Sequence, residues 1–273
     1  MGRRTRASMI RSGRQIGWRA GVGILAAALV ALGITSAAPR AEAEVAASAS
    51  STGAAAAASA TASATAQTVP TAAVIPSVKA LDSDQVIADP AWFAAAYAEG
   101  FRLYILAVTD WGTCTPAART QPQLQMALDA GLKVAAYTRN PACWQAGIAA
   151  TGPYSARLQF FALDIETGSP PLTREMITGV QGLGVRPVVY SGAAMWPPLM
   201  GDTTGFSDVA LWDTATGPLD YASWTADVLA PEPVPYGGWN TPGNLRIGVQ
   251  QEFERTLNGV RVDLNSFDAA FLY

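Results

Sequence analysis

Residues 160–166, with the sequence FFALDIE, decide the fold of this chain. An apolar run of this length, broken only by an acid near its end, is typical of a strand buried on both faces. Such strands belong to parallel sheets that helices cover on both sides. Asp164 and Glu166 are therefore predicted to lie at the carboxyl end of a buried parallel strand, where α/β folds place their active sites.

Short apolar runs alternate with helical patterns on both sides of this strand, which predicts a β/α architecture. Helices are predicted between the N-cap Asp89 and Gly100, and over residues 123–130 and 173–183. Five βα units followed by three strands with weak helical patterns predict an α/β fold, a shortened TIM-like β/α barrel. The predicted strands cover residues 77–81, 102–108, 132–137, 160–165, 186–190, 209–212, 246–250 and 260–264.

The N-terminal part of the chain does not have the pattern of a globular domain. Six arginines precede an apolar run at residues 21–38, and AEA follows at 41–43, which predicts a secretory signal peptide over residues 1–43. An uncleaved membrane anchor stays open, because the run just reaches the length of a spanning helix. Residues 44–73 are almost all Ala, Ser and Thr, and predict a disordered tether. The barrel domain is then residues 74–273, secreted or associated with the cell wall.

The composition excludes several kinds of site. The 273 residues contain no histidine, so a Ser-His-Asp or Cys-His site cannot form, and two cysteines are too few for a Cys₄ zinc site. No basic stripe follows the N-terminus, which argues against a nucleic-acid partner. We expect a monomer that uses carboxyl groups and needs no cofactor or metal, although a cation held by carboxylates stays open.

The two acids at the end of strand four are suited to acid catalysis. Side chains alternate along a strand, so Asp164 and Glu166 point to the same side, with Cα atoms about 6.6 Å apart. This is the length scale on which two carboxyl groups flank a glycosidic bond. Repulsion raises one pKa, so one group, here Glu166, can remain protonated as a general acid. The deeper Asp164 is expected to stay ionised and to hold the substrate.

Other acids follow other strands. Asp82 follows strand one, Asp213 follows strand six, and Asp263 lies in strand eight. Strands one and eight are neighbours in a closed barrel, so these acids are expected to converge on one cavity. Each aspartate alone is equally well explained as a helix cap or loop residue.

The order of these motifs resembles the family 25 glycoside hydrolases, the Chalaropsis-type lysozymes or N-acetylmuramidases that cut the β-1,4 bond after N-acetylmuramic acid. The resemblance spans residues 80–268 and is carried by LDSDQ at 81–85, KVAAY at 133–137, FALDIE at 161–166, PVVYS at 187–191, LW at 211–212 and VDLNSF at 262–267. It implies a shortened β/α barrel. It also implies that Glu166 is the general acid, that Asp164 steadies the substrate or its acetamido group, and that Asp82 and Asp263 complete the pocket.

Aromatic residues near the strand ends are candidates for contact with sugar rings, whose C–H groups pack on flat faces. Packing in the core is the competing explanation, above all for Trp212. The predicted substrate-binding residues are Tyr137, Tyr190, Trp111, Trp144, Trp212 and Asp213.

The cysteines Cys114 and Cys143 each lie six residues past a predicted strand, and those two strands are adjacent. Both thiols then emerge at the same rim of the barrel. Export places them in an oxidising compartment, so we expect a disulfide that joins two rim loops.

These features favour a secreted muramidase whose partner is peptidoglycan or a related wall glycan. A non-catalytic glycan-binding barrel of the same fold is the alternative, and a hydrolase of another polysaccharide stays open.

Overall fold

Strand four of the predicted barrel is buried along its whole length and forms part of a closed wall. In this computed structural model, which describes residues 75–110, 112–215 and 224–273, the described residues form eight strands that pair in chain order. All of them fall in one compact unit of the chain, Thr68–Tyr273. The predicted α/β TIM-like barrel is therefore confirmed.

The direction of the last strand explains how the barrel closes. Neighbours from the first to the seventh strand run parallel, whereas the eighth runs antiparallel to both the seventh and the first. A hairpin therefore completes the wall in place of a further βα unit. The strands are β1 (Ser77–Ser83), β2 (Phe101–Ala107), β3 (Lys133–Thr138), β4 (Leu158–Asp164), β5 (Pro187–Ser191), β6 (Ala210–Thr214), β7 (Gly248–Leu257) and β8 (Val260–Asp268).

A helix follows each of the first five strands, as predicted. Asp89 accepts a hydrogen bond from the Ala91 amide and Thr173 accepts one from the Met176 amide, so both act as N-caps. The α-helices among the described residues are α1 (Pro90–Ala98), α2 (Thr120–Asp129), α3 (Trp144–Ala150), α4 (Arg174–Gly182) and α5 (Trp196–Met200). The sequence analysis assigned no residues to α3 or α5. Helix α3 is rich in Ala and Gly and lacks an apolar stripe, and α5 is five residues long and contains two prolines.

The core has two layers, and β4 contributes to both. Phe160 and Ala162 point into the barrel, while Phe161 and Leu163 pack against the helices outside. Phe160 stacks on Phe267 of β8 with ring centroids 5.4 Å apart. Truncating a buried phenylalanine of this kind costs about 3–5 kcal/mol. The same alternation turns Asp164, the last residue of β4, toward the interior.

The hairpin of β7 and β8 is longer than predicted. Only residues 248–250 of β7 pair with β6, and the rest of β7 pairs with β8 alone. The sequence pattern ends at residue 250 because the polar residues that follow do not alternate with apolar ones. They are held in the strand by pairing with β8, which a local pattern does not contain.

The predicted disulfide is confirmed. Cys114, in the loop after β2, is bonded to Cys143, in the loop after β3, with the Cα atoms 4.9 Å apart. The signal peptide predicted at 1–43 and the tether predicted at 44–73 lie outside the described residues. Within the described ranges, the helices are too short or too polar to cross a membrane.

Candidate active site

Four predicted acids meet at the carboxyl ends of the parallel strands. Asp82 is the last residue of β1 that faces the barrel interior, and Asp164 is the last residue of β4. Glu166 lies two residues beyond Asp164, and Asp263 lies on β8 opposite Asp82. All four line one cavity of about 100 Å³, here called the acid cavity. Strand register therefore brings together acids that are far apart in the chain.

Two amide side chains hold the acids of β1 and β8. The Asn265 amide donates to Asp82 Oδ1 at 2.8 Å, and the Gln250 amide donates to Asp263 Oδ2 at 2.6 Å. Burial raises the pKa of Asp82 well above its usual range, and the charge of Asp263 raises it further. Burial likewise raises the pKa of Asp263, to about 6. Asp263 therefore begins to hold a proton as the pH falls toward 6, and the pKa of Asp82 is displaced in the same direction.

Asp164 and Glu166 lie beside each other in different electrostatic surroundings. Burial raises the pKa of Asp164 well above its usual range, and the neighbouring charge of Glu166 adds to this. One oxygen of Asp164, Oδ1, is buried without a hydrogen-bond partner. Glu166 is half-buried, and burial raises its pKa too, but an ion pair with Arg139 opposes that rise.

The electrostatic surroundings of the two carboxyl groups differ. The hydrogen bond between them raises the pKa of Asp164 and lowers that of Glu166, while burial raises the pKa of both. The prediction that Glu166 is the acid and that Asp164 stays ionised therefore remains a prediction. Depth disfavours charge through desolvation, whereas the Arg139 guanidinium favours charge on Glu166.

Ser169 fixes the turn that carries Glu166. Its hydroxyl accepts a hydrogen bond from the Glu166 amide at 3.2 Å and lies within donating distance of the carbonyl oxygens of Asp164, at 3.0 Å, and Arg139, at 3.1 Å. The end of β4 and the end of β3 are thereby joined below the two charged side chains. This restrains the Arg139–Glu166 pair from the backbone side.

Three of the predicted aromatic residues form the floor of the acid cavity. Tyr190 and Trp212 lie with ring centroids 4.6 Å apart, and Tyr137 lies 6.2 Å from Trp212. The Trp212 indole donates to Asn265 at 2.9 Å, and Tyr190 is hydrogen-bonded to Gln250. Trp212 is only 2% exposed, so it supports the acids from below and offers little surface to a sugar.

Two other predicted binding residues, Trp144 and Asp213, are not part of this cavity. Trp144 packs against α4, where its ring lies over Gly179, and belongs to the outer core. Asp213 is buried in an ion pair with Arg246 and also accepts hydrogen bonds from Tyr236 and Asn240. Trp111 lies outside the described residues.

There is a physical reason why Trp144 and Asp213 lie outside the acid cavity. The sequence places Trp144 and Asp213 just past strand ends, but it does not show which way a loop turns or which partner it meets. For Asp213 the decisive partner, Arg246, is 33 positions away in the chain. Asp213 therefore has a structural role because of its neighbours, although it lies near the mouth of the barrel.

A larger cavity of about 300 Å³ adjoins the acid cavity and is here called the outer cavity. The two share Asp82, Tyr137, Arg139, Phe253 and Asp263. The predicted binding residues include neither Arg139 nor Phe253, and the predicted seventh strand ends before Phe253. A basic residue directly after β3 was the available signal for Arg139, whereas no local signal marks Phe253.

Among the described residues, no group of three or more Cys, Asp or Glu side chains is arranged to hold a metal ion. The carboxyl groups of the acid cavity therefore have amides, each other and Arg139 as their partners.

Comparison with known proteins agrees with the motif order. No family model matches the chain. A probable family 25 lysozyme of the glycoside hydrolases from Dictyostelium discoideum, number 4, is 36% identical over 85 residues, which are 29% of this chain and 36% of that protein. A second from the same organism, number 2, is 31% identical over 67 residues, which are 24% and 28% of the two chains.

Part of the chain is similar to proteins named as probable family 25 lysozymes. Its match spans about a third of the length of these curated relatives, and the class of enzyme that they carry in their names is the glycoside hydrolase. A solved muramidase from Trichobolus zukalii is 19% identical, with a TM-score of 0.49, and the match covers 70% of this chain and 94% of that one. The barrel itself is established by the strand pairing described above.

Proposed function

We propose that this protein is a secreted glycoside hydrolase that cleaves β-1,4 bonds of peptidoglycan, as a muramidase. The observation that carries the proposal is the convergence of Asp82, Asp164, Glu166 and Asp263 on one cavity at the barrel mouth. Paired carboxyl groups with raised pKa values supply the acid and the stabilising charge that glycoside hydrolysis needs.

The chemistry follows from the shared proton. In the proposed reaction a glycan enters the acid cavity and displaces Arg139 from Glu166, which removes the charge that keeps Glu166 ionised. The proton of Asp164 then passes across the hydrogen bond to Glu166, and Glu166 donates it to the glycosidic oxygen as the bond to the anomeric carbon breaks. Asp164, now ionised, faces the positive charge that develops at that carbon or steadies the acetamido group. A water molecule then adds to the anomeric carbon and gives its proton to the Glu166 carboxylate, which completes hydrolysis and restores the proton to the pair.

A non-catalytic glycan-binding barrel is the second candidate. The Arg139–Glu166 ion pair favours it, because an ionised Glu166 cannot donate a proton. A rigid pair would leave a glycan-binding cleft without an acid. The two candidates therefore differ in whether Glu166 becomes protonated once a glycan is bound.

The test compares the wild-type chain, Glu166→Gln and the matched surface variant Glu175→Gln, whose glutamate is exposed on α4. Each is incubated with peptidoglycan and with chitin, and new reducing ends are measured together with sedimentation of bound protein. We expect Glu166→Gln to lose about 10²–10⁴-fold in rate while Glu175→Gln matches wild type. Mass spectrometry of the products should show N-acetylmuramic acid at the new reducing end.

The possible outcomes separate the candidates. Binding without cleavage by every variant supports the glycan-binding barrel, and cleavage of chitin alone supports a hydrolase of another polysaccharide. Cleavage that survives Glu166→Gln contradicts the assigned acid.

Export is a separate part of the proposal. The N-terminal sequence supports a signal peptide over residues 1–43 and a tether over 44–73, with the barrel delivered to the cell wall as a monomer. The N-terminal sequence of the mature protein, together with its sedimentation coefficient, tests this. A mature chain that begins at Met1 and stays in the membrane fraction would support the anchor instead.

A further inference from the structure

The hairpin of β7 and β8 reaches past the barrel wall and is fixed there by contacts at its tip. The Trp92 indole of α1 donates to the Leu257 carbonyl at 3.0 Å, and the Asn258 amide donates to Glu99 at 2.9 Å. The Ser83 hydroxyl donates to the Arg261 carbonyl at 3.1 Å. The hairpin is thus held at its tip by these contacts and at its base by strand pairing with β6 and β1, so it is a preorganised surface that loses little freedom on binding.

An irregularity in this hairpin places Phe253 at the mouth of the barrel. The pairing with β8 shifts between Gln250 and Glu252 and again between Glu252 and Arg255. Glu254 has a left-handed backbone, φ +54°, and its amide donates to Asp263 Oδ1 at 2.6 Å. Bulges at barrel rims redirect side chains, and this one ties the position of Phe253 to an acid of the active site.

The Phe253 side chain is unusual in its exposure. It is 43% exposed, although burying an aromatic ring of this size is strongly favourable. It lines both the acid cavity and the outer cavity. An exposed flat ring between two connected cavities is therefore in reach of whatever extends from one into the other.

The outer cavity combines this apolar ring with polar groups. Asp84, Gln85 and Arg261 lie around it. A pyranose ring likewise combines apolar and polar surface, with C–H groups on its faces and hydroxyl groups at its rim. The connection to the acid cavity argues for the glycan chain as occupant over a separate protein partner, because a chain cut in the acid cavity must extend beyond it.

We propose that Phe253 is the stacking platform of a sugar-binding subsite in the outer cavity, which holds a pyranose ring of the glycan next to the one that reacts. This inference rests on the proposed function, since it names a further contact of the same substrate. It assigns Phe253 to binding, with proton transfer left to the carboxyl groups.

The experiment measures binding of a tetrasaccharide of alternating N-acetylglucosamine and N-acetylmuramic acid by calorimetry. The full chain carries Glu166→Gln to prevent cleavage, alone or with Phe253→Ala, Phe253→Leu or Phe253→Trp. We expect the alanine variant to bind about tenfold more weakly and the tryptophan variant to bind at least as well as the parent. Leucine keeps apolar surface but not the flat face, so it should fall near alanine.

Tyr97→Ala is the matched control, because Tyr97 is 39% exposed but lies on α1 outside both cavities. It should leave binding unchanged. In chains that retain Glu166, Phe253→Ala should raise KM and leave kcat within a few fold. Equal melting temperatures show that each variant is folded.

The outcomes distinguish this inference from the proposed function. If the parent binds the tetrasaccharide and the alanine and leucine variants bind within twofold of it, the subsite is wrong while the hydrolase stands. If binding depends on Phe253 but wild type cuts nothing, the subsite stands and the hydrolase fails. No binding by the parent overturns both, and self-association that depends on Phe253 without glycan binding identifies a second copy as the occupant.

Discussion

Asp164 on β4 and Asp213 on β6 occupy similar places at the ends of parallel strands, and both are almost fully buried. Asp213 has a donor for each oxygen, with Tyr236 on Oδ1 and both Asn240 and Arg246 on Oδ2. Asp164 has a buried oxygen without a partner and a second carboxyl group beside it. The comparison teaches that a buried carboxyl group whose oxygens all have hydrogen-bond donors is structural. A buried carboxyl group with an oxygen that lacks a partner is available for chemistry.

The two sites also differ in how far their partners offset the effect of burial on the pKa of the aspartate. Burial raises the pKa of Asp213 as well, but Tyr236, Arg246 and Asn240 each pull it back. Arg246 also donates to the carbonyl oxygens of Val228 and Pro231, so the ion pair pins that part of the chain to the barrel. Asp164 forms no ion pair with the described residues, and burial together with the charge of Glu166 raises its pKa well above its usual range. One substitution, aspartate to asparagine, therefore probes both sites.

The largest expected effect is that of Asp213→Asn. It leaves the buried Arg246 charge without a counterion, and removing one partner of a buried ion pair costs about 3–5 kcal/mol. Urea denaturation at pH 7 measures the loss. The double variant Asp213→Asn with Arg246→Met should recover part of it, since both charges are then gone, and a single variant as stable as wild type would contradict a structural role.

The same change at Asp164 should act in the opposite direction. Asp164→Asn removes a carboxyl group that resists ionisation, so at pH 8 it should raise the free energy of unfolding by about 1–3 kcal/mol. Activity should fall with it, since the shared proton is lost. Destabilisation equal to that of Asp213→Asn would show that the two sites do not differ in the way described.

The pH dependence of stability gives a smaller effect with a definite sign. The carboxyl groups of the acid cavity have raised pKa values when folded, so the folded chain binds protons that the unfolded chain releases. The stability they contribute is complete below the ordinary carboxyl pKa of about 4. It is lost as pH rises through the raised values, which is about 6 for Asp263.

Thermal unfolding should accordingly show a higher melting temperature at pH 5 than at pH 8. The double variant Asp82→Asn with Asp164→Asn should have a flatter profile over the same range. A melting temperature that rises between pH 5 and pH 8 would mean that these groups are stabilised in their ionised forms.

Arg139→Gln should produce the smallest change. Without the guanidinium the pKa of Glu166 rises, so the alkaline limb of kcat/KM should move upward by about one pH unit, or about 1.4 kcal/mol. Arg174→Gln is the control, because Arg174 forms an exposed ion pair with Asp208 on the surface. A limb that stays in place would show that Arg139 does not set the protonation of Glu166.

The sequence by itself determined the barrel and the identity of the acids. Apolar runs such as that of β4 must be buried on both faces, and the rule that parallel strands end at one rim then brings Asp82, Asp164 and Glu166 together. Asp263 joins them because closure of the barrel makes β8 the neighbour of β1. The disulfide followed from the same reasoning, since cysteines after adjacent strands emerge at the same rim. These features depend on periodicity and strand order, which are local properties of a chain.

Only the tertiary structure decided the partner and the proton of each acid. Arg246 forms an ion pair with Asp213, and Arg139 forms one with Glu166. A shift in the pairing of β7 with β8 places Phe253 between the acid cavity and the outer cavity. Desolvation and Coulomb interactions depend on distances between residues that are far apart in the chain, and a bulge depends on the strand opposite. No local pattern contains these quantities, so similar aspartates at similar strand ends acquire opposite roles.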